Sequence, residues 1–365
     1  MPAVAAALCI AMLRRNNGEC NMKIVVYPQQ LGNAGLQSNP YIRDFVAAMT
    51  AAGAQVANGP ARNPLIGMLP RCLAGDALVL HWLENVPDYK HGAVQTVCAL
   101  AMLAAARLTG HKVVWFLHNN RSHAASHQWQ KRLITRALMR HSSLVVTHAS
   151  QGLDALRSQC PERKGRAVWL HHPTKNRIAL ARECRNAAAG GRPEADVLIW
   201  GTISPYKGVD QWLQYVVDHQ LPLRVRIVGH CGDAGLAGRI AELARRAPVA
   251  TFINRSITFD QLAAEVARAR FVLVPYAAES VLSSGILMDS LSVGAKVIGP
   301  DVGSFRDYAA EPLLSVSTFR SLADVARIVA EDGGQPADLD GYERFLDAHS
   351  WAHFAGQLTK LIEEL

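Results

Sequence analysis

Short apolar runs alternate along the chain with longer stretches in which apolar positions recur every three or four residues. The short runs predict strands at Lys23–Tyr27, Ala77–His81, Lys112–Leu117, Leu144–Thr147 and Ala167–Leu170. After Gly190 the alternation resumes, at Val197–Trp200, Arg224–Val228, Phe271–Pro275 and Lys296–Ile298. The longer stretches predict helices, among them Asn39–Ala52, His127–Arg140, Val209–Asp218, Ala237–Arg246 and Asp260–Arg268. Continuously apolar strands alternating with helices indicate parallel sheets covered on both faces. The pattern occurs twice, so the predicted class is α/β, with two Rossmann-like doubly wound domains facing a cleft. The first spans residues 22–175 and the second 196–342. Residues 176–195, polar and then Ala/Gly-rich, read as a linker, and 343–365 as a closing helix. In such sheets ligands bind beyond the carboxyl ends of the strands.

The 365 residues suffice for about two domains. Composition adds an asymmetry. Residues 1–190 carry a net charge of +14 and residues 191–365 carry −6. The first half therefore faces something anionic. No zinc-finger spacing, RNP aromatic motif or basic heptad region is present, which argues against nucleic acid. The seven cysteines are odd in number and form no C-x-x-C pair, a pattern that fits a reduced, cytosolic protein with core cysteines. The apolar run near the N-terminus is too short to span a bilayer, and its charges follow it, unlike a signal peptide. Residues 1–21 are thus expected to form an extension outside the fold. "AVQTVCALAMLAAARL" (Ala93–Leu108) is expected to be a buried helix rather than a membrane span.

Three strand ends in the second half carry candidate chemistry. "IWGTISPYKGVDQWL" places Lys207 where a helix opens, within reach of a phosphate. "LRVRIVGHCGD" places Gly229 at a turn. "LVPYAAESVLSSGILMDS" sets Ser283, Ser284 and Gly285 at a helix start, where unpaired N–H groups and the helix dipole favour an anion. A plain N-cap is the competing explanation for the serines. Together the three suggest a diphosphate pocket. The G-x-G-x-x-G fingerprint and the Walker loop are both missing, so NAD and P-loop nucleotides are not the expected ligands.

The order G-x-x-x-P-Y-K-G, then R-I-V-G, then P-Y followed by S-G, a helix and V-I-x-P resembles the donor domain of GT-B glycosyltransferases. "NPYIRDF", "DALVLHWLENV" and "KVVWFLHNNRSH" in the first half resemble bacterial exopolysaccharide β-mannosyltransferases of the xanthan-assembly type, glycosyltransferase family 94. The resemblance runs from about Met22 to Pro300. It implies that Lys207, Ser283, Ser284 and Gly285 bind the diphosphate of a nucleotide sugar, GDP- or UDP-linked. The acceptor would be a lipid-linked glycan, and the protein peripheral on the cytoplasmic face of the membrane. Retaining members carry an arginine where this chain has Thr202, and two glutamates eight residues apart. Here Asp289 takes the second place and Glu279 lies ten residues before it, which favours an inverting reaction. Glu279 or Asp289 could still accept hydrogen bonds from the ribose.

An inverting transfer needs a general base. His118, Glu84 and His123 are the candidates, with a His118–Glu84 pairing the functional arrangement. His148, His171 and His172 also border the expected cleft. No metal or cofactor is required, since Lys207 and the helix dipole would take the cation's place. "DLD" (Asp338–Asp340) matches a metal-binding D-x-D but lies in an acidic stretch with no strand before it, and reads as a solvated loop. Arg132, Arg136 and Arg140 lie four apart on one predicted helix, beside Trp129, and are expected to meet an anionic membrane surface. Two alternatives remain open: a sugar-nucleotide epimerase of the same fold, and a catalytically inert nucleotide-sugar-binding protein.

Overall fold

The computed structural model describes residues 22–28, 40–57, 63, 65–119, 126–188, 193–276 and 281–365. The expected extension, residues 1–21, and the candidates His123 and Glu279 lie outside them. The strands are β1 (Lys23–Tyr27), β2 (Gln55–Val56), β3 (Ala77–His81), β4 (Lys112–Leu117), β5 (Leu144–Thr147), β6 (Arg166–Trp169), β7 (Ala195–Trp200), β8 (Arg224–Val228), β9 (Val249–Ile253), β10 (Ala269–Leu273), β11 (Val297–Pro300) and β12 (Val316–Phe319). They form two six-stranded sheets in the orders β2-β1-β3-β4-β5-β6 and β12-β11-β10-β7-β8-β9. The pairs are parallel, for example Ile24 beside Ala77 and Val197 beside Val225. The inner strands β3 and β4 are buried along all or nearly all of their length, which is why they read as apolar runs. The three strands absent from the sequence reading lie at sheet edges. There β9 is half-exposed, β12 carries Ser317 and Thr318, and β2 has two residues.

The helices are α1 (Pro40–Ala51), α2 (Gly92–Leu108), α3 (Gln128–His141), α4 (Ser150–Gln159), α5 (Ile178–Ala187), α6 (Val209–Asp218), α7 (Ala234–Arg246), α8 (Phe259–Ala267), α9 (Gly285–Ser292), α10 (Gly303–Ala309), α11 (Leu322–Glu331), α12 (Leu339–Ala348) and α13 (Trp351–Glu363). The expected linker is for the most part α5. Its Ile178 and Ala181 are buried, and Ile178 joins the second sheet's core. Arg182 pairs with Asp340 and Glu343 of α12, and Arg185 donates to the carbonyls of Gly294 and Ala337. The helix packs on a narrow apolar face, Ile178 and Ala181 with Leu180 and Cys184 beside them, and its arginines serve as anchors.

The closing segment starts later than residue 343, since α12 runs through that position and packs on the second domain. Only α13 returns to the first. Phe354, Ala355, Leu358 and Ile362 are buried with Ile24, Val26, Phe45 and Phe116. Each large apolar side chain buried this way contributes about 1.5–3 kcal/mol. Lys112, at the start of β4, donates to the Ile362 carbonyl at 2.8 Å and so sets a positive charge at the C-terminus of α13.

Helix α2 differs from the fully buried helix expected. Gln95, Thr96, Ala99, Met102, Leu103 and Ala106 face the core, but Val94, Val97 and Leu108 are exposed. The Asp338 side chain accepts from the Asp340 N–H and caps α12, so the "DLD" stretch is a helix start rather than a loop.

Candidate functional site

A cavity of about 480 Å³ lies between the two sheets, at the carboxyl ends of their strands. From the second domain it is lined by Lys207, Tyr276, Ser283, Ser284, Gly285 and Asp289. From the first come Tyr41, Asp44, Trp82 and His118, and residues 172–174 and Arg177 border it at the crossing between domains.

Lys207 ends a 3-10 turn, Pro205–Lys207, and is followed by Gly208 at φ 67°. A Cβ at Gly208 would meet the Pro275 carbonyl oxygen at 2.3 Å, so the lysine can be followed here only by glycine. Burial holds the Lys207 ammonium down to about 8. It donates to the Thr202 carbonyl and lies 5.6 Å from the centre of the Tyr276 ring. It has no carboxylate partner among the described residues. The facing element is α9. Ser284 accepts from the Leu287 N–H at 3.3 Å, a standard N-cap, while Ser283 instead donates to the His118 carbonyl at 3.1 Å and ties the two domains together. A Cβ at Gly285 would meet nothing within 4 Å. Packing does not require glycine there; the space beyond it belongs to the cavity.

Asp289, one turn further along α9, accepts from Thr174 at 3.2 Å and lies 3.9 Å from Arg177. Burial pushes its carboxyl up to about 6, against the pull of Arg177. The guanidinium of Arg177 sits 3.5 Å over the Phe259 ring and donates to Ser292. Across the cleft Asp44, from α1, pairs with Lys175 at 3.1 Å.

The first-domain wall is built of rings. Trp82 follows β3 in the left-handed conformation, φ 53°, a rare state for a bulky side chain. That backbone lays its indole on His118, with ring centres 4.2 Å apart and planes at 19°. Tyr41 stands edge-on to His81, Trp82, His118 and His148. Burial, reinforced for His81, His118 and His148 by neighbouring histidines, holds all of these imidazoles neutral: His81, His118 and His148 fall well below the usual range, and His172 falls to about 4.

Hydrogen-bond partners assign the protons. A carbonyl oxygen can only accept, so His148 carries its proton on Nδ1, toward Leu170 O, and accepts from the Tyr41 hydroxyl at Nε2. His172 likewise donates from Nδ1 to Pro173 O, which leaves Nε2 bare. His81 Nδ1 and His118 Nε2 are 3.0 Å apart, and His81 Nε2 is buried without a partner. A buried orphan donor is rarer than an orphan acceptor. The proton therefore sits on His81 Nδ1, and His118 keeps its own on Nδ1 and presents a donor.

The expected His118–Glu84 pairing does not form. Glu84 lies in a 3-10 turn, Leu83–Asp88, that carries it under the sheet edge instead of into the cavity. Burial raises its carboxyl to about 7, against the pull of the Trp115 side chain. Gly229 does not line the cavity either. A Cβ there would meet the Gly201 carbonyl oxygen at 2.0 Å, so this glycine serves the close approach of two strand ends. Tyr41, Asp44, Arg177 and Phe259 went unread in the sequence. The first two lie in "NPYIRDF", which carries a helix start and part of the family resemblance but gives neither side chain a role. Among the described residues no group of three or more His, Cys, Asp or Glu is placed to hold a metal ion.

No protein-family model and no curated protein sequence matches the chain. Solved structures do. Sucrose-phosphate synthase from Thermosynechococcus elongatus superimposes with a TM-score of 0.67 at 15% identity, over 94% of this chain and 99% of that one. Anabaena HepE in complex with UDP-glucose gives 0.64 at 15% identity, over 94% and 100%. The fold is GT-B. A third GT-B likeness is to AviGT4, a glycosyltransferase involved in avilamycin A biosynthesis, with a TM-score of 0.55 at 14% identity over 94% and 98%. The match over 94% of this chain places both sheets within one GT-B architecture.

Proposed function

We propose that this chain is a glycosyltransferase that moves a hexosyl group from a nucleoside diphosphate sugar to an acceptor hydroxyl, with inversion and without a metal. One observation carries the reading: a buried lysine with no carboxylate partner among the described residues faces a helix N-terminus across a cavity between two sheets. Such an ammonium costs desolvation energy that only an anion in the cavity would return. The HepE complexes with UDP and UDP-glucose, on the same fold, support a nucleotide sugar as that anion.

In this reading Lys207 and the N–H groups at the start of α9 hold the diphosphate and stabilise its charge as it departs. Asp289 accepts from a sugar hydroxyl. His172 Nε2, the bare nitrogen, takes the proton of the acceptor hydroxyl, and the anion bound nearby raises its proton affinity. The acceptor oxygen bonds to the anomeric carbon as the carbon–phosphate-oxygen bond breaks, and the nucleoside diphosphate leaves with the electron pair. His118 Nδ1–H serves as a donor to the sugar. The motif order proposes mannose as the sugar and a lipid-linked glycan of exopolysaccharide synthesis as the acceptor. Inversion rests on Thr202 and on the displaced carboxylate pattern.

The test is calorimetric titration with GDP and UDP. Lys207→Ala should weaken the preferred nucleotide by about 10- to 150-fold with the fold intact. Equal affinity in parent and variant would remove the donor site from this cavity.

A further inference from the structure

Eleven large apolar side chains stand exposed among the described residues, and seven of them lie on or beside α2, α3 and the two 3-10 turns packed against α2: Ile66, Tyr89, Val94, Val97, Leu108, Trp129 and Leu133. On α2, Val94, Val97, Ala101, Ala104 and Leu108 recur at alternating spacings of three and four, so they form one outward stripe. Val97 is 66% exposed and Leu108 86%. Trp129, 69% exposed, opens the same side of α3. The two helices lie side by side and parallel. Their inner faces share one core, Lys131 and Ser126 both bond Asp88 near their starts, and Arg107 meets His141 at 2.6 Å near their ends.

The charge along this stretch of sequence is positive, and Asp88 at the helix starts is taken up by Lys131 and Ser126. From Tyr89 to Leu153 the sequence holds eight Lys or Arg and no Asp or Glu. Arg132 and Arg136 are exposed and have no acidic partner among the described residues, whereas Arg140 pairs with Glu162.

We propose that the face built by α2 and α3 docks on an anionic lipid bilayer. Its apolar stripe enters the headgroup boundary, with Trp129 at the edge and Arg132 and Arg136 against the lipid phosphates. A tryptophan suits that boundary because one end of the ring is apolar and the other carries an N–H. A second copy of the chain is a poorer occupant, since it would bring the same unpaired arginines face to face. The direction of the helices adds a consequence. Each follows a strand and runs back along the sheet, so its first turns lie at the carboxyl ends of the strands, where the cavity opens. Val94, Val97, Trp129 and Leu133 sit on those first turns. A docked protein would thus hold its cleft mouth at the membrane, and an acceptor anchored in lipid could reach it. That last step rests on the proposed transfer reaction; the docking does not.

Sedimentation with vesicles tests this, using phosphatidylcholine alone and phosphatidylcholine mixed with phosphatidylglycerol. The parent should bind the mixed vesicles and not the neutral ones. The double variant Arg132→Gln, Arg136→Gln should partition about 30-fold less at low salt. Val97→Glu, at an exposed position that leaves the fold alone, should lower binding at both low and high salt, because it acts on the apolar contact. Unchanged partitioning of both variants with unchanged melting temperatures would overturn the proposal. So would a concentration-dependent dimer that Val97→Glu abolishes, which would assign the face to a second copy. UDP and GDP titration in parallel separates the two readings: docking without nucleotide binding removes the transfer reaction and leaves the docking face standing.

Discussion

The two walls of the cavity are made of different material. The second domain presents an ammonium, a carboxyl and the N-terminus of α9, with the guanidinium of Arg177 beside them at the crossing between domains. The first presents Tyr41, Trp82 and His118, and His172 at the crossing, their imidazoles held neutral by burial, with Arg43 and the paired Asp44 as its charged members. A charged, N–H-rich wall fits an anion. A wall of neutral rings stacks on the C–H faces of a sugar and exchanges single protons with hydroxyls. In the proposed reaction the diphosphate belongs to the charged side and the reacting hydroxyl to the side of rings. It also follows from how each wall is built: the second ends strands in loops that open helices, and the first ends them in aromatic and histidine side chains.

The largest effect should come from separating the walls' tasks. His172→Gln should lower turnover by about 10²- to 10⁴-fold and leave nucleotide affinity unchanged. An equal loss in both, by steady-state kinetics and titration, would erase the division. Gly285→Val should do the reverse: it fills the cavity beside α9 and should weaken the nucleotide by roughly 150-fold or more, beyond Lys207→Ala. A fold that melts at the parent temperature, with affinity unchanged, would place the anion elsewhere.

Two pH profiles sharpen the contrast. The imidazoles of the first wall have folded-state values depressed below the usual 6.5, so the unfolded chain binds more protons as pH falls. Their contribution is fully present above about 6.5 and is lost progressively on acidification, with His172 titrating through about 4. His172 alone should account for about 1–3 kcal/mol over that interval. Denaturant midpoints measured from neutral to acid pH should show it, and His172→Gln should flatten the slope. The second wall responds at the other end. Lys207 loses its proton as pH rises through about 8, so nucleotide affinity should fall by up to about tenfold per unit beyond that point. Lys207→Ala should remove that dependence.

Much of this was legible in the sequence because burial writes itself there. The strand runs β1, β3, β4, β5 and β8 match their predicted bounds to the residue, since each carries a run of buried apolar side chains, alternating in β8 with Arg224 and Arg226. Lys207, Ser283, Ser284 and Gly285 converge because strand ends in such sheets share one edge. Other features depend on the third dimension. Which way Glu84 points is set by the turn at Leu83–Asp88, and a histidine's partner is set by residues far along the chain, as with His81 and His118. The outward stripe of α2 was invisible for a related reason. An apolar position looks the same whether it faces the core or the outside, and only the buried Gln95 and Thr96 betray which side is which.

The return of α13 to the first sheet bears on the order in which the protein is made. The first domain's inner face is closed by Phe354, Leu358 and Ile362, more than 150 residues beyond the last strand of its sheet. On the ribosome, domains generally fold as units in the order they emerge. Here the second domain, complete by the end of α12, is the first to have all its parts outside the exit tunnel. The domain synthesised first waits with Ile24, Phe45 and Phe116 uncovered until synthesis has passed Glu363.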